Sequence, residues 1–130
     1  MKALKLMAGG AALLAAASVA HAGTTFDAVQ KRGFVQCGVS TGVAGFSIAD
    51  SKGKWTGLDV DFCHAVAATM FGDASKVKFT PLSVQQRFTA LQSGEVDLLS
   101  RGTTQTITRD TTLGLIGTGV DFYDSQGIMV

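Results

Sequence analysis

The stretch Leu99–Asp110, LSRGTTQTITRD, gathers the groups best suited to bind a small polar molecule. Arg109 carries a planar fork that grips a carboxylate through two parallel hydrogen bonds. Thr103, Thr104, Thr106 and Thr108 supply hydroxyls, and Gly102 lets another group come close to its backbone. Neutral donors and acceptors beside one guanidinium suit a small zwitterion. The preceding apolar run, Val96–Ser100, reads as a buried strand, so this loop opens at a strand's carboxyl end, where open α/β sheets bind ligands. The same residues admit a plainer account, with threonines capping turns and Arg109 pairing with Asp110 or Asp121 on the surface. Spacing alone leaves both open.

Other residue groups point away from catalysis. Asp59 and Asp61 fall in the first turn of a predicted helix, where carboxylates meet the positive end of the helix dipole, and are read as a helix start rather than an acid–base couple. The loop Ser40–Phe46 is glycine-rich but has neither Gly-Lys-Ser/Thr nor G-x-G-x-x-G, so it is read as a sharp turn over a pocket and not as a phosphate cradle. Cys37 and Cys63 are far apart in sequence, and His64 is the one histidine beyond the leader, so no metal site and no cofactor is expected. The two cysteines either pair in an oxidising compartment or are buried thiols. A net charge of +1 gives no basic field for nucleic acid.

The N-terminus is a predicted leader. Lys2 and Lys5 precede an apolar run from Leu6 to Val19, and Ala20-His21-Ala22 fits the small-residue cleavage rule. A signal peptide over 1–22, cleaved after Ala22, implies export to the periplasm. No later run reaches the ~20 apolar residues that span a bilayer, so the mature chain is not expected to cross one.

The elements that must position the loop follow in order. Thr25 is expected to cap a short helix, with Phe26 and Val29 on one face and Gly33 ending it. Phe34–Val39 is a strand, and Ser51–Lys54 turns a hairpin between Phe46–Ile48 and Trp55–Thr56. Gly57–Phe71 is the clearest helix, with Val60, Cys63, Ala67 and Met70, and also Phe62, Val66 and Met70, at helical spacing. Val77–Thr80 is a strand closed by Pro81. Ser83 and Gln86 form a capping box, after which Val84, Phe88 and Leu91 stripe a helix ending at Gly94. Val120–Tyr123 reads as a short strand, and Gly127–Val130 begins another. Strands alternating with helices give a parallel sheet with crossover helices.

Gly57-Leu58-Asp59-Val60-Asp61-Phe62, Val66-Ala67 with Met70, Leu91–Asp97, Thr104-x-Thr106-x-x-Arg109 and Asp121-Phe122-Tyr123 together resemble the bacterial extracellular solute-binding proteins for polar amino acids. Gly33–Ser40 and Arg87–Leu91 are similar to the general L-amino-acid-binding branch. The resemblance implies the first lobe of a type II periplasmic-binding-protein fold, a three-layer α/β unit, in a protein that closes like a hinge on its ligand. By that resemblance Arg109 holds the ligand α-carboxylate, Thr104 contacts the carboxylate and ammonium, and the Gly102 carbonyl faces the ammonium. Val43 and Val84 fall where relatives clamp the side chain, which implies a roomy pocket; Phe46 is then core. Residues 23–130 are expected to form the N-terminal part of lobe 1 up to the first crossover strand, with lobe 2 outside this sequence. The implied function is capture of L-amino acids for an ATP-driven permease, as a monomer and without catalysis. The alternatives are a truncated inactive product, a same-fold secreted dehydratase needing a catalytic carboxylate, or a sensor module.

Overall fold

The computed structural model describes residues 23–124 and 127. The predicted leader and the last strand residues, 128–130, lie outside the described residues. Helix α1 spans Thr24–Arg32 and ends where Gly33, at φ 83°, turns back to donate its N–H to the Val29 carbonyl. Thr25 lies inside this helix, not at its cap; Gly23 takes the cap position, with no side-chain hydrogen bond. Val29 is buried, whereas Phe26 is exposed.

Strand β1, Val35–Val39, is the centre of the sheet. After it come the short hairpin strands β2, Ile48–Ala49, and β3, Trp55–Thr56, then helix α2, Leu58–Phe71. Strand β4 is Val77–Pro81, helix α3 Arg87–Gln92, strand β5 Leu98–Leu99, and helix α4 Ile107–Thr112. The sheet order is β4-β1-β5, parallel throughout, with Val35 opposite Val77 and Cys37 opposite Leu98. β2 and β3 pair antiparallel, as the turn residues required.

Alternation along β1 sorts its residues between two layers. Val35, Cys37 and Val39 face α1 and α2, where they pack with Val29, Cys63 and Ala67. Gly38 points the other way, and a Cβ there would sit 2.6 Å from Leu99 and 2.9 Å from Leu82. The missing side chain thus lets the Leu82–Ala90–Val96 cluster beneath α3 close against the strand. Cys37 and Cys63 are joined as a disulfide that ties β1 to α2 across 26 residues. Asp97 fastens the opposite side: it accepts from the Gln36 N–H at 2.7 Å and pairs with Arg32 at the end of α1.

The start of α2 is capped by backbone. Leu58 donates to the Gly45 carbonyl and Asp59 to the Phe46 carbonyl, both at 3.0 Å. The loop can lie this close because residue 57 is glycine: its φ is 120°, and a Cβ would fall 2.4 Å from the Phe46 oxygen.

Four expectations are corrected. Val84 does not join the α3 stripe; the helix proper starts at Arg87, and Val84 sits in the preceding turn, 58% exposed. Phe62 is on the outer face of α2, since Val60, Cys63 and Ala67 already define the side facing the sheet. The strand expected over Val96–Ser100 narrows to Leu98–Leu99. Residues 120–123 form no strand; Phe122 instead meets Phe46 edge-on, with ring centroids 5.0 Å apart.

Gly57→Ala will destabilise the protein by at least about 2 kcal/mol, since it adds both a strained φ and a clash with backbone; urea unfolding measures this. Replacing both Cys37 and Cys63 by alanine will cost about 3 kcal/mol in the same assay, by releasing the closed loop in the unfolded chain.

Candidate binding site at the sheet rim

Parallel pairing sends β1, β4 and β5 out along one rim. Leu82 continues β4 with an N–H to the Val39 carbonyl, and Ser100 continues β5 with an N–H to the Gly38 carbonyl. Ser40, Leu82 and Ser100 are therefore buried together at the carboxyl ends of the strands. The loop 101–106 starts there and leads into α4, whose N-cap Thr106 accepts from the Arg109 N–H at 3.2 Å. This cap turns the Arg109 side chain back towards the loop, where its guanidinium donates to the Thr104 carbonyl.

Ser83 and Gln86 form the expected reciprocal pair: the Gln86 N–H donates to Ser83 Oγ at 3.2 Å, and the Ser83 N–H donates to Gln86 Oε1 at 3.3 Å. The pair sets the start of α3, and so places Arg87 and Phe88 on the rim. Arg87 is buried and donates to the Gly102 carbonyl at 3.2 Å. Arg101 donates to the carbonyls of Leu82 and Ser83, fixing the exit of β4. Burial pulls the Arg87 guanidinium below its ordinary pKa, and the charges of Arg101 and Arg109 add to this. Burial also lowers Arg101, with Asp59 acting in the opposite direction.

Asp59 is buried behind this rim, at the start of α2, while Asp61 is exposed, so the two carboxylates do not work as a couple. Burial, and then the charge of Asp121, raise the Asp59 pKa; the neighbouring Ser47 hydroxyl and the Arg101 charge pull the other way. Asp59 Oδ2, Arg87 Nε, Ser100 Oγ, Arg101 Nε and Thr103 Oγ1 are buried without a protein partner. Hydrogen-bonding capacity that the protein itself does not use is thus collected in and behind one rim.

The structure thus puts Gly102 and Thr104 on one loop, brings Arg109 of α4 back against that loop, and couples the loop to α3. Val43 and Val84 are both exposed, on the Ser40–Phe46 loop and on the turn before α3. A cavity of about 280 Å³ opens along α3, from Leu82 and Gln86 to Ser93, and one of about 530 Å³ between α1 and the 114–118 segment, and none of these five residues lines either. Among the described residues no group of three or more His, Cys, Asp or Glu side chains is placed to hold a metal. Arg87, Arg101 and Asp59 were missed as rim residues. Their signal was available: an arginine inside the Leu82–Leu91 apolar pattern, and one at the end of an apolar strand, are both out of place unless a rim needs them.

A parallel α/β lobe with its polar residues collected at the carboxyl rim is the first-lobe architecture of type II periplasmic binding proteins. The family model for bacterial extracellular solute-binding proteins, family 3, matches residues 35–130, and the chain belongs to this family. It is 57% identical over 121 residues to the general L-amino acid-binding periplasmic protein AapJ of Rhizobium johnstonii, covering 93% of this chain and 36% of that protein. To the glutamate/glutamine/aspartate/asparagine-binding protein BztA of Rhodobacter capsulatus it is 48% identical over 122 residues, covering 94% of this chain and 36% of the relative. A solved periplasmic binding protein of an ABC transporter from Brucella ovis, with glutathione bound, superposes with a TM-score of 0.68 at 61% identity, over 69% of this chain and 28% of that one. The chain spans about 36% of the length of the curated relatives it matches. No helix among the described residues is long and apolar enough to cross a membrane.

The raised Asp59 pKa has a defined sign. The folded carboxyl holds its proton more readily than the unfolded one, so its contribution favours the fold at low pH and is lost as pH rises through the folded value. Asp59→Asn removes that loss. Its melting temperature relative to the unsubstituted protein will therefore rise between about pH 3 and 7, as measured by thermal unfolding across that range.

Proposed function

We propose that this chain is the first-lobe portion of a substrate-binding component of an ABC importer, which captures L-amino acids of several kinds and delivers them to an inner-membrane permease. The observation that carries the reading is the state of Arg109. Its guanidinium stands at the ligand rim, tethered to the Thr104 carbonyl, with no carboxylate at ion-pair distance among the described residues. A ligand α-carboxylate is the group such a cation lacks, and the pair gains strength once closure removes water. The names of the relatives, which bind amino acids in general or glutamate, glutamine, aspartate and asparagine, support the substrate class.

In this reading Arg109 grips the carboxylate and the Thr104 hydroxyl bridges carboxylate and ammonium. The Gly102 carbonyl uses its second lone pair for the ammonium while the first serves Arg87. Exposed Val43 and Val84 are small walls that restrict the side chain little. Capture, closure and handover involve no bond-making, so in this reading the protein is not an enzyme and needs no cofactor, and one two-lobed chain, working as a monomer, suffices to enclose the ligand. Residues 1–22 act as the signal peptide, cleaved after Ala22, and the mature protein operates in the periplasm. Residues 23–130 then form the lobe up to the first crossover, and the second lobe completes the site.

Calorimetry on the full-length native protein tests this. The unsubstituted protein will bind several L-amino acids, and Arg109→Ala will weaken each by at least about 100-fold, the cost of leaving a desolvated carboxylate unpaired. Binding unchanged in Arg109→Ala, or turnover of prephenate or arogenate, would overturn the reading.

A further inference from the structure

The geometry points to Phe88 as a positioning residue: its ring holds the Arg109 guanidinium in place for the ligand carboxylate without neutralising it. This rests on the reading of Arg109 given above. The Arg109 guanidinium carbon lies 5.1 Å from the centroid of the Phe88 ring, and that of Arg87 lies 4.7 Å from the same centroid. Both distances fall within the range over which an aromatic quadrupole attracts a cation.

Three features make this arrangement more than incidental packing. First, Arg109 needs restraint. It is a long side chain on a six-residue helix that buries no residue of its own, so α4 itself gives it little to rest on. Second, the restraint is of a particular kind. The nearby acid on the same helix, Asp110, faces Gln105 instead, which donates to it at 3.4 Å. An acid against Arg109 would compete with the ligand for the same donors, whereas an aromatic ring orients the cation and takes up none of the donors left beside the one that serves the Thr104 carbonyl. Third, the ring is itself fixed. The Ser83–Gln86 pair sets where α3 begins, and Arg87, the residue before Phe88, is tied to the Gly102 carbonyl. The start of α3 therefore holds the loop through a hydrogen bond at Gly102, and the helix that follows the loop through an aromatic face at Arg109.

The consequence is a specific coupling. Removing the ring should weaken recognition of the α-carboxylate more than that of the ammonium, because Arg87 keeps its hydrogen bond to the Gly102 carbonyl when the ring is gone, and only while residue 109 carries a cation. The test uses the full-length native protein and calorimetry with whichever of L-leucine, L-glutamine and L-alanine binds it most tightly, and with the α-amide of that amino acid. Phe88→Leu will weaken the amino acid by about fivefold and shift the amide by less than about twofold, while Phe88→Tyr and Phe88→Trp, which keep a ring, will stay within about twofold of the unsubstituted protein. In an Arg109→Gln background, which has no cation for the ring to hold, Phe88→Leu will add less than about a further twofold. In the NMR spectrum the Arg109 Nε proton, shielded by the ring, will move downfield in Phe88→Leu and not in Phe88→Tyr.

If Phe88→Leu does not fold, Phe88→Met serves in its place, and the tyrosine variant keeps the rescue arm intact. Equal losses from Phe88→Leu in the arginine and glutamine backgrounds would overturn the positioning role. So would an unchanged affinity in Phe88→Leu when Arg109→Gln is weak, or a tyrosine variant as weak as the leucine one. If Arg109→Gln binds as tightly as the unsubstituted protein, the failure lies in the reading of Arg109, and the role of Phe88 falls with it.

Discussion

Parallel pairing on both sides of β1 is the constraint from which the remainder follows. A parallel neighbour cannot be reached by a tight turn, so the chain must cross back over a face of the sheet between each strand and the next. α2 fills that crossing between β1 and β4, and α3 fills it between β4 and β5. The strands then all end on the same side, and the residues just past their ends, Ser40, Leu82 and Ser100, meet there whatever the loops contain. Chemistry collected in this position owes its placement to backbone direction before any side chain contributes.

Side chains refine that placement by tying loops to each other instead of to the sheet. The Ser40–Phe46 loop is anchored through carbonyls that cap α2, and the loop after β5 through the arginines that reach across from and toward α3. Most of these ties end on main-chain carbonyls rather than carboxylates. Positive charge therefore accumulates at the rim, with Arg101 and Arg109 close enough to Arg87 to help lower its pKa, and Asp59 sits behind it as the one buried acid among the described residues. A net positive rim backed by a costly, half-compensated carboxylate is electrostatically unfinished by itself, which suits a surface whose partner arrives from solution.

The sequence made the sheet legible because its signals are local: the apolar run at Val35–Val39, the S-x-x-Q pair at Ser83 and Gln86, and Gly33 where α1 ends. Arg109 and its loop were legible because a hydroxyl-rich segment follows an apolar run. What sequence reading missed is relational. Val84 sits at helical spacing from Phe88, yet α3 begins only at Arg87 and Val84 is left exposed in the turn before it. Val120–Tyr123 has strand composition, but a strand exists only beside a partner, and Phe122 finds Phe46 instead. Arg87 and Asp59 are charged residues whose burial depends on loops brought from elsewhere in the chain, and no periodicity records that.

The outer side of β4 carries a further consequence. Leu82 directs its N–H inward to β1, so by alternation Pro81 directs its nitrogen outward, to the side where no strand pairs with β4 among the described residues. A nitrogen inside a proline ring has no hydrogen to donate, and the neighbouring exposed position three residues earlier is Lys78. A foreign strand approaching this border would find one rung of the ladder missing and a positive charge beside it. The strand that most resembles an open template is thereby made a poor one, and the sheet is discouraged from growing into aggregates along that border.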